Sequence, residues 1–196
     1  MDIFSNLSII IPNHNEPRIK EMVDLVFREF PHAEVIVSND PEGKGKGWAV
    51  REGIKNSSKY YIAIIDGDLD IQPRKLHRLI EVSHIYDIVV GRKALWNLPF
   101  HRKPITIFSR KIINLLFRLP IDTQTGIKLF PRETLSDFRT DGYMYDVELL
   151  YNARKKGYII GEVLLTVYSS KKKSIGCLIK CLWETLRIYA NTLSSK

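Results

Sequence analysis

The stretch "YIAIIDGDLDIQP", residues 61–73, runs from five mostly apolar residues directly into three aspartates at alternate positions. Its apolar half is rich in isoleucine and predicts a strand that is buried on both faces. Asp66, Asp68 and Asp70 follow at the point where this strand should end. If the chain continued unbent, the three carboxylates would lie on one side of it and repel one another. A cation between them would remove this repulsion.

The chemistry of these side chains predicts which cation binds. Carboxylate oxygens beside a phosphate favour Mg²⁺ or Mn²⁺, which bind one or two carboxylates and fill their other positions with water and substrate phosphate. We therefore predict that Asp66, Asp68 and Asp70 are metal ligands. The alternative interpretation is that they cap the helix that begins near Pro73, or form ion pairs at the surface.

The rest of the sequence repeats the pattern of a short apolar strand followed by a helix. Four further apolar runs predict strands at residues 7–12, 33–38, 86–91 and 158–167. Apolar residues at three- and four-residue spacing predict helices at 16–29, 47–56, 73–84, 105–118 and 145–156. This alternation predicts an α/β fold with a mostly parallel sheet, in which ligands bind beyond the carboxyl ends of the strands. The aspartates should therefore share one edge with "NHNE" (13–16) and "SND" (38–40).

Length and composition predict one domain, residues 1–196, with a basic surface. The chain has 30 lysines and arginines against 22 acidic residues, a formal charge of +8. This favours a polyanionic partner, which can be nucleic acid, an anionic membrane surface or a phosphorylated ligand. The only cysteines, Cys177 and Cys181, lie four apart in a predicted helix, which favours a reducing compartment. We expect a cytoplasmic location, because we find neither a signal peptide nor an uncharged run of eighteen apolar residues.

Two basic segments are candidates for binding phosphate. "PEGKGKGWAVREG" (41–53) leads into a helix, whose first amides, together with Lys44 and Lys46, could hold a phosphate. It lacks the spacing of a dinucleotide-binding or Walker loop, and a flexible connector is the alternative. "GRKALWNLPFHRK" (91–103) interleaves basic residues with Trp96 and Phe100. It could bind nucleic acid, hold the phosphate of a lipid carrier above an apolar groove, or be a solvated loop.

Six segments, in this order, resemble the inverting family 2 glycosyltransferases of the GT-A fold, in the branch that makes dolichyl- or polyprenyl-phosphate mannose and glucose. They are "SIIIPNHNE" (8–16), "GKGWAVREGI" (45–54), "IIDGDLDIQP" (64–73), "VVGRKA" (89–94), "DTQTGIKLFPRE" (122–133) and "YDVELL" (145–150). The likeness implies a three-layer α/β fold with a mostly parallel central sheet. It also shows a departure, since Asp40 is followed almost at once by the lysine-glycine loop. The sheet should therefore lack one strand-helix unit after residue 40.

The resemblance implies a donor site and an acceptor site. The base and ribose of a nucleotide sugar would contact Pro12, His14, Glu16, Asn39 and Asp40. Asp66 and Asp68 match the family's metal-binding DxD motif, with Asp70 as a further ligand. The lysine-glycine loop adds Lys46 as a further candidate for donor binding. Lys93, Arg102 and Thr106 match positions that hold phosphate in this branch. A loop near the sugar and the acceptor is matched by Asp122, Gln124 and Gly126, and an acidic helix start that lines the same cleft is matched by Asp146 and Glu148. The family also has a basic loop that can close over phosphate, at the positions of Lys171, Lys172 and Lys173.

The implied reaction is metal-dependent transfer of a hexose, with inversion, from a donor of the GDP-mannose or UDP-glucose type to a polyprenyl or dolichyl phosphate. The residues expected to carry it are Asp66, Asp68, Arg102, Asp122 and Asp146. An acceptor phosphate needs no general base, whereas a saccharide hydroxyl would need Asp122 or Asp146 to take its proton. A non-catalytic nucleic-acid-binding module and an inactive relative are further alternatives. A sugar nucleotidyltransferase is disfavoured, because "PNHNE" stands where such enzymes have a glycine-rich loop.

Residues 174–190 predict an amphipathic C-terminal helix. Ile175, Leu178, Ile179 and Leu182 fall on one face, and Lys180 falls on the other. Such a helix can pack on the domain, on a partner subunit, or on a membrane. The third interpretation gives a peripheral membrane contact through residues 169–190, on the cytoplasmic face of the membrane, with roughly 1 kcal/mol for each basic residue near an anionic surface.

Overall fold

The computed structural model describes residues 3–100, 102–167 and 175–194. In these ranges six strands alternate with six α-helices. The elements are β1 (Leu7–Asn13), α1 (Ile19–Glu29), β2 (Glu34–Asn39), α2 (Lys46–Asn56), β3 (Tyr61–Ile65), α3 (Leu76–Val82), β4 (Ile88–Lys93), α4 (Arg102–Phe117), β5 (Ile127–Pro131), α5 (Tyr145–Lys155), β6 (Ile160–Leu165) and α6 (Ile175–Ser194). The predicted α/β alternation is confirmed.

The strands form one sheet in the order β2-β1-β3-β5-β4-β6. All neighbouring pairs are parallel except those of β5, which runs antiparallel to both β3 and β4. The sequence pattern missed β5, because Lys128 interrupts its short apolar run. Lys128 is nevertheless fully buried. A lysine normally marks an exposed position, so a sequence pattern cannot recognise this one as part of a buried strand.

The side chains of the sheet alternate between two helical layers. Ile9 and Ile11 pack with Met22 and Val26 of α1 on one face. Ile64 packs on the opposite face, in a cluster built mainly from α2, α4 and α5. Burying one such side chain completely contributes about 1.5–3 kcal/mol. The result is the three-layer architecture that the resemblance implied.

The edge strand β2 explains how the sheet accommodates the shortened segment. β2 pairs only with β1 in the sheet order, and the chain passes from Asn39 to the start of α2 at Lys46 without another strand. β2 is at the edge of the sheet, so a strand beyond it could be absent without leaving any inner strand unpaired or opening the core. The short segment that the sequence shows after residue 40 corresponds in the structure to the direct connection from β2 to α2.

The topology brings distant residues to one edge of the sheet. The parallel strands β1, β2, β3 and β4 end there, at Asn13, Asn39, Ile65 and Lys93. β5 runs the other way, and its first residue pairs with the last residue of β3. The loop before β5, residues 122–126, therefore reaches the same edge as the three aspartates.

Candidate active site

The three aspartates lie in a tight turn directly after β3. The N–H of Asp66 donates to the carbonyl oxygen of Gly126 at 2.8 Å, and the N–H of Asp70 donates to the Asp68 carboxylate at 3.2 Å. Leu69 has a φ of 58°, a strained conformation for a branched side chain. The chain thus bends after Asp66, and the carboxylates are gathered by a turn rather than by the pleat of a continuing strand.

Lys46, the first residue of α2, extends into this turn. Its Nζ lies 2.5 Å from Oδ1 of Asp66. Burial disfavours the charge of Lys46, but the carboxylates of Asp66, Asp146 and Asp68 outweigh it and raise the pKa of the ammonium above its ordinary value. Lys46 is therefore a fixed positive charge beside the aspartates.

Lys46 pairs with the Asp66 carboxylate, and the other two carboxylates of the turn, those of Asp68 and Asp70, suit a divalent cation. Burial raises the pKa of Asp68, and the charges of Asp66 and Asp70 raise it further. Oδ1 of Asp70 is buried and has no hydrogen-bond partner among the described residues. Within those residues, no three acidic, histidine or cysteine side chains are arranged to hold a metal on their own. The turn thus suits Mg²⁺ or Mn²⁺ bound by one or two carboxylates and completed by a phosphate ligand.

The amides of the lysine-glycine loop already have partners. The buried carboxylate of Asp40 accepts the N–H groups of Lys44 and Gly45 at 2.9 and 2.7 Å. The N–H of Gly47, at the start of α2, donates to the carbonyl oxygen of Asp141 at 2.7 Å. These contacts disfavour phosphate binding by the amides of this helix start, which stays a prediction, whereas the side chain of Lys46 reaches the aspartates.

The residues predicted to contact the base meet between β1 and β2. Nδ2 of Asn13 donates to Oδ1 of Asn39 at 2.7 Å, and the ring Nδ1 of His14 lies 2.7 Å from the carbonyl oxygen of Asp40. Glu16 follows in the same loop, where its N–H donates to Oδ1 of Asn13. Pro12 pairs with Ser38 in the strands behind them. The five predicted residues therefore form one cluster, although their contact with a base stays a prediction.

A second cluster surrounds Asp122, at the other end of the 122–126 loop. Its Oδ2 accepts the N–H of Lys93 at 2.9 Å and also bonds Nη2 of Arg110. Nζ of Lys93 lies 3.8 Å from Oδ1 of Asp122 and donates to the carbonyl oxygen of Gln124 at 2.7 Å. Burial favours the neutral acid, but Lys93 and Arg110 outweigh it and lower the pKa of Asp122 to about 2. Such a carboxylate is a weak base.

Asp146, the other candidate base, is also paired. It lies in the first turn of α5, and its Oδ1 is 2.8 Å from Nζ of Lys128. Both side chains are almost completely buried. Burial and the Asp146 carboxylate together raise the pKa of the neighbouring Tyr145 well above its ordinary value. Neither Asp122 nor Asp146 is thus arranged to take a proton from an acceptor hydroxyl.

An apolar groove of about 440 Å³ begins beside the Asp122 cluster and runs between α4 and α6. Its polar end is formed by Lys93, Thr106, Ser109 and Gln124, and Oγ of Ser109 donates to Oε1 of Gln124 at 3.0 Å. The walls are apolar and are formed by Ile105, Phe108, Ile112, Ile113, Leu178, Ile179 and Leu182. The groove therefore combines a positively charged end with apolar walls.

The sequence prediction was incomplete around this groove. Arg110 was missed, although it falls on the same helical face as Thr106 and the buried Ile113. The predicted Arg102 is the first residue of α4, but its side chain lies outside the described residues, as do Lys171, Lys172 and Lys173. Glu148 accepts the backbone N–H groups of residues 139 and 140, so its carboxylate holds the loop before α5.

The C-terminal helix α6 packs on the domain with one face only. Thr185 and Ile188 are buried, whereas Ile179 and Trp183 are each 63% exposed. Glu184 accepts the backbone N–H of Met144 at 3.1 Å and so ties the helix to the loop before α5. Across residues 3–100, 102–167 and 175–194, none of the helices combines the length and the hydrophobicity needed to traverse a bilayer.

Comparison with known proteins gives relatives and structural neighbours. The chain is 28% identical over 179 residues to a dolichyl-phosphate beta-glucosyltransferase of Dictyostelium discoideum, an alignment that covers 82% of this chain and 54% of the relative. A second such enzyme, from Trichomonas vaginalis, is 29% identical over 181 residues, with 81% and 53% covered. The chain therefore spans little more than half the length of these relatives.

Solved structures match the fold over nearly the whole chain. Mannosyl-3-phosphoglycerate synthase from Rubrobacter xylanophilus has a TM-score of 0.78 at 15% identity, covering 97% of this chain and 74% of its own. Glucosyl-3-phosphoglycerate synthase from Mycobacterium tuberculosis, in complex with Mn²⁺ and UDP-glucose, has a TM-score of 0.73 at 16% identity, covering 92% and 78%. These matches confirm the expected GT-A fold.

The family model described as glycosyl transferase family 2 matches residues 40–152. This range is more than half of the 196 residues. It includes the three aspartates, Lys46, the Asp122 cluster and the start of α5. The chain, whose sequence resembles this family and whose sheet is that of the GT-A fold, belongs to glycosyl transferase family 2.

Proposed function

We propose that this domain transfers a hexose, with inversion, from a nucleotide diphosphate sugar to the phosphate of a polyprenyl or dolichyl phosphate. The observation that carries the proposal is the groove between α4 and α6, with Lys93 and Gln124 at its polar end. The loop that contains Gln124 also contacts the aspartate turn, since the carbonyl oxygen of Gly126 accepts the N–H of Asp66. A lipid phosphate in the groove would therefore lie beside a donor diphosphate.

The donor half of the site is built around the aspartate turn. Asp66 and Asp68, with Asp70 beside them, would hold Mg²⁺ or Mn²⁺, and such an ion would supply positive charge to a departing diphosphate. Lys46 adds a fixed positive charge at the same place, and Pro12, His14, Glu16, Asn39 and Asp40 would border the base and ribose. The Mn²⁺ and UDP-glucose complex of the mycobacterial neighbour supports a divalent metal and a donor of the UDP-glucose type.

The acceptor half would hold a phosphate with Lys93, Thr106, Gln124 and Arg102. One phosphate oxygen attacks the anomeric carbon from the face opposite the nucleotide, while the bond from that carbon to the diphosphate oxygen breaks. A phosphate monoester is largely ionised near neutral pH, so no proton must be removed from it. This agrees with the ion-paired state of Asp122 and Asp146. The protein then acts mainly through alignment and through stabilisation of charge on the leaving group.

A soluble phosphorylated acceptor is the second candidate, because the structural neighbours are named for 3-phosphoglycerate. The apolar walls of the groove favour the lipid, since a small anion would leave them without a function. A saccharide hydroxyl is disfavoured by the paired state of Asp122 and Asp146. A nucleic-acid-binding module would need neither the aspartate turn nor the groove.

The outer surfaces of α4 and α6 support a peripheral contact with the membrane that carries such an acceptor. Phe108 and Trp183 are 65% and 63% exposed, and Phe100, just before α4, is 87% exposed. A shallow depression on α4 sets Lys103 and Lys111 beside Phe100 and Phe108. Exposed aromatic side chains flanked by lysines are typical of helices that lie in an anionic membrane interface.

Three acceptors distinguish these proposals when each is incubated with the purified chain, Mn²⁺ and either UDP-glucose or GDP-mannose. The acceptors are a short polyprenyl phosphate, the matching polyprenol without phosphate, and 3-phosphoglycerate. We expect a mass-spectrometric product only with the lipid phosphate. Transfer to 3-phosphoglycerate, or to the polyprenol, would show that the acceptor assignment is wrong.

A further inference from the structure

Arg110 is an ionised side chain close to the proposed acceptor site that does not line the groove. It lies in the middle of α4 and is 19% exposed. Its Nη2 bonds the carboxylate of Asp122 and donates to the backbone carbonyl oxygen of Lys93 at 3.1 Å. Arg110 therefore contacts both partners of the Lys93–Asp122 pair without lining the groove itself.

The positions of the three charges determine how much positive charge faces the groove. Asp122 carries one negative charge, and Arg110 and Lys93 carry one positive charge each. Arg110 makes the close contact with Asp122, whereas Nζ of Lys93 stays 3.8 Å from that carboxylate and reaches the carbonyl oxygen of Gln124 at the mouth of the groove. Because Arg110 neutralises Asp122, the cluster keeps a net positive charge at Lys93, on the side of the groove.

The loop that carries Asp122 is fixed from its other side as well. The backbone N–H of Asp122 donates to Oε1 of Glu162 on β6 at 2.5 Å, and Glu162 lies 3.6 Å from Arg92. The backbone of Asp122 is thus held in place, so its carboxylate stays where it is when a neighbouring side chain changes position. If Arg110 were absent, the flexible side chain of Lys93 would be the group that moves, toward Asp122 and away from the groove.

We propose that Arg110 is a positioning residue for the acceptor phosphate: by neutralising Asp122 and holding the backbone of Lys93, it keeps the Lys93 ammonium at the mouth of the α4–α6 groove. This inference rests on the proposed function, because it takes the acceptor to be a lipid phosphate. Nothing in the role of Arg110 requires it to touch the substrate.

The competing explanation is that Arg110 only fastens α4 to the sheet. The two explanations differ in the double variant Arg110→Ala with Asp122→Asn. A fastening role predicts that this variant is at least as defective as Arg110→Ala. A charge-balancing role predicts recovery, because the neutral amide no longer attracts Lys93, while its oxygen can still accept the Lys93 N–H.

Calorimetric titration with farnesyl phosphate tests the inference without needing turnover. We expect Arg110→Ala to weaken binding about tenfold, or about 1.4 kcal/mol, Arg110→Lys to stay within a few-fold of the unaltered chain, and the double variant to regain most of the loss. Arg154→Ala, which changes an exposed arginine in the last turn of α5, is the matched control and should bind normally. Farnesol measures the contribution of the chain without the phosphate.

The outcomes separate this inference from the proposed function. Binding by Arg110→Ala that equals that of the unaltered chain, or a double variant no better than Arg110→Ala, would overturn the positioning role. A protein that binds farnesyl phosphate with the expected pattern but transfers no sugar would keep the positioning role and refute the proposed function. Failure of the unaltered chain to bind farnesyl phosphate would overturn both.

Discussion

The ammonium of Lys46 lies 2.5 Å from Oδ1 of Asp66, the first of the three aspartates that we propose as metal ligands. One carboxylate of the turn is therefore already paired with a positive charge that comes from a different element, α2. A nucleotide diphosphate that entered with its metal would meet this ammonium as well as the aspartates. Several N–H groups of the lysine-glycine loop donate to Asp40 and Asp141. The side chain of Lys46 is therefore the part of this loop that reaches the proposed donor site.

Replacement of Lys46 by methionine keeps the length of the side chain and removes its charge. We expect kcat to fall about 100-fold, the size of effect seen when one preorganised electrostatic contact to a developing charge is removed. Steady-state kinetics with saturating lipid phosphate checks this expectation. Lys55→Met, which changes an exposed lysine at the end of α2, is the control. Equal rates for both variants would exclude Lys46 from the reaction.

Metal binding should depend on the nucleotide. The described residues provide no complete three-ligand site, so Mn²⁺ alone should bind weakly, and UDP or GDP should raise its affinity at least about tenfold by supplying phosphate oxygens. Electron paramagnetic resonance of free Mn²⁺ measures this directly. Asp68→Asn should abolish the enhancement, and a chelator should abolish transfer until Mn²⁺ or Mg²⁺ is restored. Tight Mn²⁺ binding in the absence of nucleotide would contradict the prediction.

The low pKa of Asp122 links stability to pH. The pKa is about 2 in the folded chain, compared with an ordinary value of 3.8, so the ionised form stabilises the fold. This contribution, on the order of 2 kcal/mol, is fully present above the ordinary pKa and is lost as the pH falls through about 2. The difference in free energy of unfolding between the unaltered chain and Asp122→Asn should therefore be constant above about pH 5 and shrink in more acid solution. A difference that does not change with pH would refute the ion-paired state.

Local sequence patterns predicted five of the six strands, because an apolar run depends on residues close together in the chain. They also placed the three aspartates at the end of β3, but they did not predict the turn that gathers the carboxylates. The pattern did not predict β5, because Lys128 interrupts its short apolar run, and the antiparallel direction of β5 is visible only in its pairing with β3 and β4. It also missed Arg110, whose proposed role depends on a contact with Asp122 from another segment. The contact between the N–H of Gly47 and Asp141 was missed for the same reason, because Asp141 is far away in sequence.

When either Lys128 or Asp146 is replaced, the loss of their buried ion pair should account for most of the change in the free energy of unfolding. Asp146→Asn leaves the Lys128 ammonium buried without a counter-charge and should lower the free energy of unfolding by about 3–5 kcal/mol. The double variant Lys128→Met with Asp146→Leu removes the two charges together and should recover most of that loss. Denaturant unfolding of the corresponding single variants and of the double variant gives the coupling energy. Additive losses would show that the pair is not the source of the effect.

The exposed faces of α4 and α6 should bind anionic membranes. Between residues 102 and 117 the sequence contains no acidic residue, and the one acidic residue of α6, Glu184, bonds inward to the backbone of Met144. No acidic side chain of these two helices therefore offsets Lys103 and Lys111. Co-sedimentation with vesicles that contain phosphatidylserine should exceed that with phosphatidylcholine alone.

Two variants can separate the electrostatic part of this membrane binding from the part that comes from apolar contact. Lys103→Gln with Lys111→Gln should reduce binding to anionic vesicles by about 2 kcal/mol, because each basic residue near such a surface contributes about 1 kcal/mol. Added salt should produce a similar loss in the unaltered chain, since it screens the same charges. Trp183→Ser should weaken binding to both kinds of vesicle, because it removes apolar contact rather than charge. If neither variant changed vesicle binding, this face would not be the one that meets the membrane.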